Sequence, residues 1–431
     1  MSPRPRRTAP ARTLLGLAGL LTLGGFVVAP ARAAVDHCQK CHSEQDGKAG
    51  EAARKYAADI HARRGIPCSG CHGGDPNDPE PTGMDPGQGF RGVPARAEIV
   101  GLCVACHADA ARMKRYNPRP YIFSVDEFRT SVHGRRQATD PKVATCISCH
   151  GVHDIRPHTD PASPVYAANV PATCAKCHNA DYMKGYGIPT NQYSLYVRSV
   201  HGQALLEKGD LSAPACNDCH GNHGAAPPGV ESISMVCATC HGREGELFAK
   251  SKMAEGMKHI PTARGCETCH GNHGVKHPTD AMLSTAAGVG ACTGCHEPGS
   301  TADRATLFIA SGLDTLKWKV AGAESLLAMA ELKGMDASLG RERLRAARDQ
   351  LIGLRAALHA FDGEQITSVL QTGFEHATAA REQGAGALRD WRVRRLGLAA
   401  ALAVILVLIA LLVGRIRALA VARSAPGPPG A

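Results

Sequence analysis

The sequence predicts a mainly α-helical protein with much irregular chain. Its middle is ordered by bound groups rather than by side chains. An α-helical bundle or hairpin and one C-terminal transmembrane helix follow. Three observations predict this. Aromatic residues are only 4% of the 431 residues, while cysteine (18) and histidine (21) are abundant, so something other than Phe, Tyr and Trp must supply bulk to a core. Every cysteine falls in one of nine Cys-x-x-Cys-His units. Past Gly299 the composition turns to Ala, Leu, Arg and Glu, and a 19-residue uncharged run lies near the end.

Residues 1–33 read as an export signal. Arg4, Arg6, Arg7 and Arg12 form a basic region, Leu14 to Val28 an apolar one, and Ala31-Arg32-Ala33 a small-residue cleavage site. The apolar stretch is short for a bilayer span. Cleavage removes five arginines and no acid, which lowers the formal charge from +10 to +5. Anionic groups bound at the nine cysteine units would outweigh that excess, so no nucleic-acid surface is expected.

Residues 34–300 hold the nine units: Cys38-Cys41-His42, Cys68-Cys71-His72, Cys103-Cys106-His107, Cys146-Cys149-His150, Cys174-Cys177-His178, Cys216-Cys219-His220, Cys237-Cys240-His241, Cys266-Cys269-His270 and Cys292-Cys295-His296. This spacing is that of c-type haem attachment. Two thiols about one helical turn apart reach the two vinyl groups of a porphyrin, and the adjacent histidine points at the iron. Zinc sites do not need a histidine directly after the second cysteine. A thioredoxin-like pair would not recur nine times, and a disulfide framework would space its cysteines irregularly. The expectation is nine covalent haems, with the nine unit histidines as proximal iron ligands.

A longer repeat underlies the units. Four modules each carry a lone histidine, a Cys-x-x-Cys-His-Gly unit and a second Cys-x-x-Cys-His unit. The lone histidines are His61, His133, His201 and His259. Ser131-Val-His133-Gly134 and Ser199-Val-His201-Gly202 are near copies. Three first units extend to a further histidine, at His153, His223 and His273; module one instead reads His72-Gly73-Gly74-Asp75. These seven histidines, with His37, are the candidates for the distal iron position. His158 and His277 compete for a remaining place. A methionine such as Met113, Met183 or Met235 could serve instead and would raise the potential. Fewer than thirty residues per haem leave little chain for an ordinary core. The haems are therefore expected to be the core, with short helices carrying the histidines and Gly/Pro-rich loops such as Gly73–Pro94 between them.

Residues 301–391 read as a helical bundle or stalk. Leu313, Leu316, Val320, Ala323, Leu327 and Ala330 form a helical stripe ended by Gly334. Leu344, Leu351 and Leu358 recur every seven residues, and Asp362-x-x-Gln365 opens a third helix. His359 and His376 read as ordinary helix residues. Leu396 to Gly414 can span a hydrocarbon core, with Arg392, Arg394 and Arg395 before it and Arg415, Arg417 and Arg423 after. The arginines nearly tie, so the export signal sets the topology: residues 34–391 outside, the tail 415–431 cytoplasmic.

The units, the Ser-Val-His-Gly copies and the His-Gly-Asn-His copies resemble exported multihaem c-type cytochromes with doubled modules, related to the class III type, over residues 36–296. The resemblance implies mostly bis-histidine, low-potential haems and electron transfer. Membrane-bound relatives pass electrons between a quinol-oxidising cytochrome b or iron–sulfur subunit and periplasmic or outer-membrane partners. That implies a bacterial inner-membrane location with the haem domain in the periplasm. A reductase or oxidase with one five-coordinate haem is the alternative. The Cys-x-x-Cys-Lys unit of ammonia-forming nitrite reductases does not occur in this chain.

Overall fold

The computed structural model describes residues 36–224, 233–286 and 288–424. The export signal at 1–33 lies outside them, as do residues 425–431 of the tail. The described regular elements are all helices. The chain divides into two compact units, Met1–Ala57 with Gly65–Val93, and Ala58–Arg64 with Pro94–Ala431.

In the first unit, Asp36 caps the helix His37–Ser43 by accepting the Gln39 N–H at 3.2 Å. Its other oxygen accepts the Cys68 N–H at 2.9 Å, which ties the first two Cys-x-x-Cys-His units together. The loop Gly73–Pro94 contains only two short 3-10 turns, Pro81–Met84 and Pro86–Gln88, as its prolines dictate.

In the second unit, residues 94–300 form short helices of three to nine residues. Few of their side chains are buried; the cluster of Val170, Tyr196, Leu205 and Ala215 is the described apolar core there, with Cys174 and Cys216 packed on it. The Ser-Val-His-Gly copies have a physical cause. Ser131 and Ser199 cap the next turn, and a Cβ at Gly134 or Gly202 would strike the carbonyl of Phe128 or Tyr196. Glycine lets the preceding helix cross that close.

Three long helices complete this unit: α1 (Thr301–Leu332), α2 (Ser338–Ala357) and α3 (Gly363–Ser424). The stripe Leu313, Leu316, Val320, Ala323, Leu327 and Ala330 is buried throughout, against Leu344, Ala347 and Leu354 of α2 and Ile366, Leu370, Ala377 and Ala380 of α3. Each such leucine contributes roughly 1.5–3 kcal/mol. Gly334 adopts φ +73° just past α1. Asp362 accepts the N–H groups of Glu364 and Gln365 at 2.9 and 3.2 Å, starting α3. The bundle is thus an antiparallel three-helix one. Helix α3 does not break after it: the same helix continues through Leu396–Gly414, whose side chains are exposed and which is apolar and long enough to cross a membrane. Lys333 Nζ lies 4.0 Å over the Trp391 ring and the Arg395 guanidinium 5.6 Å from it, just before that run. Aromatic and basic side chains favour such an interface.

Candidate haem sites

Each Cys-x-x-Cys-His unit closes one helical turn. The histidine N–H donates to the first cysteine's carbonyl at 3.0 Å for His72, 2.9 Å for His241, 3.1 Å for His270 and 3.0 Å for His296. Both thiols and the imidazole therefore project from one turn. The first units of the four modules end on a glycine at φ between +71° and +78°, at Gly73, Gly151, Gly221 and Gly271. A side chain there would be strained, so the His-Gly pair turns the chain sharply away from the histidine. None of the eighteen cysteines is fully buried.

Opposite the proximal histidines stand other imidazoles. For second units, His107 faces His61 with ring centroids 6.0 Å apart, His178 faces His133 at 6.4 Å, and His241 faces His201 at 6.3 Å. For first units, His150 faces His223 at 6.2 Å, His220 faces His273 at 5.7 Å, and His270 faces His359 at 6.0 Å. Two imidazoles on one metal, each bonded at about 2.0 Å, put their ring centres about 6.3 Å apart. The six observed spacings fit an iron between each pair. The first-unit pairs are near parallel, at 17°, 13° and 19°, whereas the second-unit pairs are twisted, at 84°, 59° and 41°. Parallel rings this far apart are not in face-to-face contact, so attraction between the rings does not explain them.

The surroundings suit neutral ligating imidazoles. Burial pushes His107, His133, His150, His178, His201, His220, His223, His270 and His273 below the ordinary histidine range. That favours the form with a lone pair. His61 Nδ1 donates to the buried Asp59 at 2.9 Å, and Asp59 also accepts the Ile155 N–H at 2.7 Å. His72 Nδ1 donates to the Gly92 carbonyl at 2.8 Å, and His359 Nδ1 to the Ala356 carbonyl at 3.1 Å. Each bond fixes the tautomer and leaves Nε2 for a metal. The buried Nδ1 of His223 has no hydrogen-bond partner. Such an orphan costs about 1–3 kcal/mol, which a metal bond would remove. Among the described residues no three His, Cys, Asp or Glu side chains converge on one point. Paired imidazoles beside two thiols fit the two axial positions of a porphyrin iron, not a bare ion.

The units also follow one another in space. Cys146 lies within hydrogen-bonding reach of Cys103, which lowers its thiol to about 7. Burial, then Cys174 and Cys177, push Cys149 up to about 11. Cys174 is paired with Cys216 and Cys237 with Cys266. Cys219 is raised by burial and by Cys237 and Cys240, and Cys269 by burial and by Cys292 and Cys295. From Cys103 to Cys295, each unit thus adjoins the next in sequence. In the first unit of the fold, burial, then Asp36 and Cys38, push Cys68 up to about 12.

Of the distal candidates read from the sequence, His61, His133, His201, His223 and His273 face a proximal histidine. His153 adopts φ +65°, in the left-handed region. His37 starts its helix and donates its N–H to the Pro76 carbonyl at 2.9 Å. His259 is exposed in the turn after the helix Lys252–Met257. His359, read as an ordinary helix residue, instead sits in a 3-10 turn, Leu358–Ala360, facing His270. The signal that could have found it is register. His223 of module three faces module two, and His273 of module four faces module three, so His270 needs a partner from chain beyond the last module.

A family model described as outer membrane cytochrome MtrC/MtrF-like, domains II/IV, matches residues 141–307, and one described as cytochrome c3 matches residues 60–179. No curated protein and no solved structure matches the chain.

Proposed function

From a chain that is a multihaem c-type cytochrome, we propose a membrane-tethered relay that carries electrons along nine covalently bound haems. It would run between a quinol-linked donor in the bacterial inner membrane and periplasmic or outer-membrane partners. The single observation that carries this reading is the set of six imidazole pairs on units that adjoin one another in sequence order. Haem iron would supply one-electron chemistry, and the facing histidine pairs would hold it and keep its potential low. The chain's own contribution is to hold the sites in a row, to fix each imidazole through its second nitrogen, and to close both axial positions against substrate. His359 serves the haem at Cys266 and Cys269, so the bundle contributes a ligand to the row.

Covalent haem attachment in bacteria takes place outside the cytoplasm, which supports the export signal and a periplasmic haem domain. The 34 residues of α3 from Gly363 to Leu396 rise about 50 Å at ~1.5 Å each. The turn carrying His359 therefore stands far from the apolar run along the helix, which favours a partner subunit, a cytochrome b or an iron–sulfur protein, as the quinol-oxidising donor. Intact-mass analysis of the mature protein should show nine haem additions and no free thiol. Seven or fewer would contradict the stoichiometry.

A further inference from the structure

The second-unit histidines draw their partners from a fixed structural position. In module two, Ser131 Oγ accepts the Gly134 N–H at 3.0 Å and donates to the Phe128 carbonyl at 2.6 Å. In module three, Ser199 Oγ accepts the Gly202 N–H at 3.0 Å and donates to the Tyr196 carbonyl at 2.6 Å. Two residues after each serine comes the histidine that faces the second unit, His133 or His201. In module one Asp59 takes the serine's place, accepting the His61 N–H at 2.8 Å, and His61 again follows by two.

The same cap occurs in module four at Ser251. Its Oγ accepts the Ala254 N–H at 3.0 Å and donates to the Phe248 carbonyl at 2.7 Å. Ser251 is 6% exposed, beside 5% for Ser131 and 1% for Ser199. Two residues on stands Met253. The spacing from this position to the first cysteine of the unit varies, 7 from His61, 13 from His133 and 15 from His201, so it is the cap and not the spacing that marks Met253, 13 before Cys266. His259, the lone histidine of this module, lies six residues further along, on the exposed turn past the helix. It faces no other ring among the described residues, and neither does His296.

We propose that the Met253 thioether is the second axial ligand of the haem attached through Cys292 and Cys295, opposite His296. This rests on the haem-relay reading and deepens it. A methionine ligand raises the potential above that of a bis-histidine haem. The last unit also touches the bundle, where the Thr306 hydroxyl lies 3.5 Å from Cys292 Sγ. The haem at the bundle end of the row is then the high-potential one, and electrons settle there first.

The test is a spectroscopic redox titration of the full-length protein, with haem number followed by intact mass. One haem should titrate well above the others. Met253→His should bring that component down among the rest and leave every haem low-spin. Met253→Ala should give one haem equivalent of high-spin iron, restored to low-spin by added imidazole. His259→Ala should change neither spin state nor potential. With all haems attached, no high-potential component and no change in Met253→Ala would overturn the assignment. So would one high-spin haem in His259→Ala. A shortfall of haems in the unsubstituted protein would instead count against the relay reading itself.

Discussion

Replacing Cys146 and Cys149 together by serine should remove one haem and divide the row. This unit adjoins Cys103 on one side and Cys174 and Cys177 on the other. Without it, electrons must cross from the third unit to the fifth with no intermediate site. Intact mass should fall by one haem. In stopped-flow reduction by a small protein donor, the unsubstituted protein should reduce as one fast phase. The variant should leave a fraction of its haems slower by about tenfold or more, equivalent to ~1.4 kcal/mol or more of added barrier. Reduction of all remaining haems at the original rate would mean that the units do not conduct in sequence.

A chain stopped at Asp390 should be soluble in the periplasm with its full complement of haems. The stop lies past Ala377 and Ala380, which complete the buried layer of the bundle, and before the exposed run Leu396–Gly414. The hydrophobic driving force for insertion leaves with that run. Tethering supplies a high effective concentration of acceptor at the membrane, so electron exchange with a membrane donor should drop by about 10²- to 10⁴-fold. Rates between soluble partners should not change. A truncated protein that still sediments with membranes after a salt wash would show that the bundle grips a membrane partner instead.

The bundle was legible because its signal is local. The stripe from Leu313 to Ala330, the stop at Gly334 and the cap at Asp362 are each decided within one or two helical turns. The Cys-x-x-Cys-His turns were legible for the same reason, since two cysteines and a histidine share one turn. The facing of histidine pairs was only half legible. Residue type picked out His61, His133, His201, His223 and His273, but their partners lie in another unit or module, and spacing along the chain does not carry that crossing. His359 escaped because its helical surroundings resemble an ordinary bundle, and its role depends on the His270 turn packing against the Leu358–Ala360 turn. His259 was singled out because it is a histidine. The backbone cap of this module lies elsewhere, at Ser251, two residues before Met253.

The most direct test of the relay is spin-quantified, low-temperature EPR of the oxidised protein. All haems should be low-spin, and the six at paired imidazoles should fall in two families. The near-parallel pairs at His150, His220 and His270 should give rhombic signals, and the twisted pairs at His107, His178 and His241 strongly anisotropic ones. In His359→Gly, one near-parallel signal should be replaced by one high-spin equivalent that added imidazole reverses. A full high-spin equivalent in the unsubstituted protein, able to bind nitrite or cyanide, would contradict the account and mark an open catalytic iron.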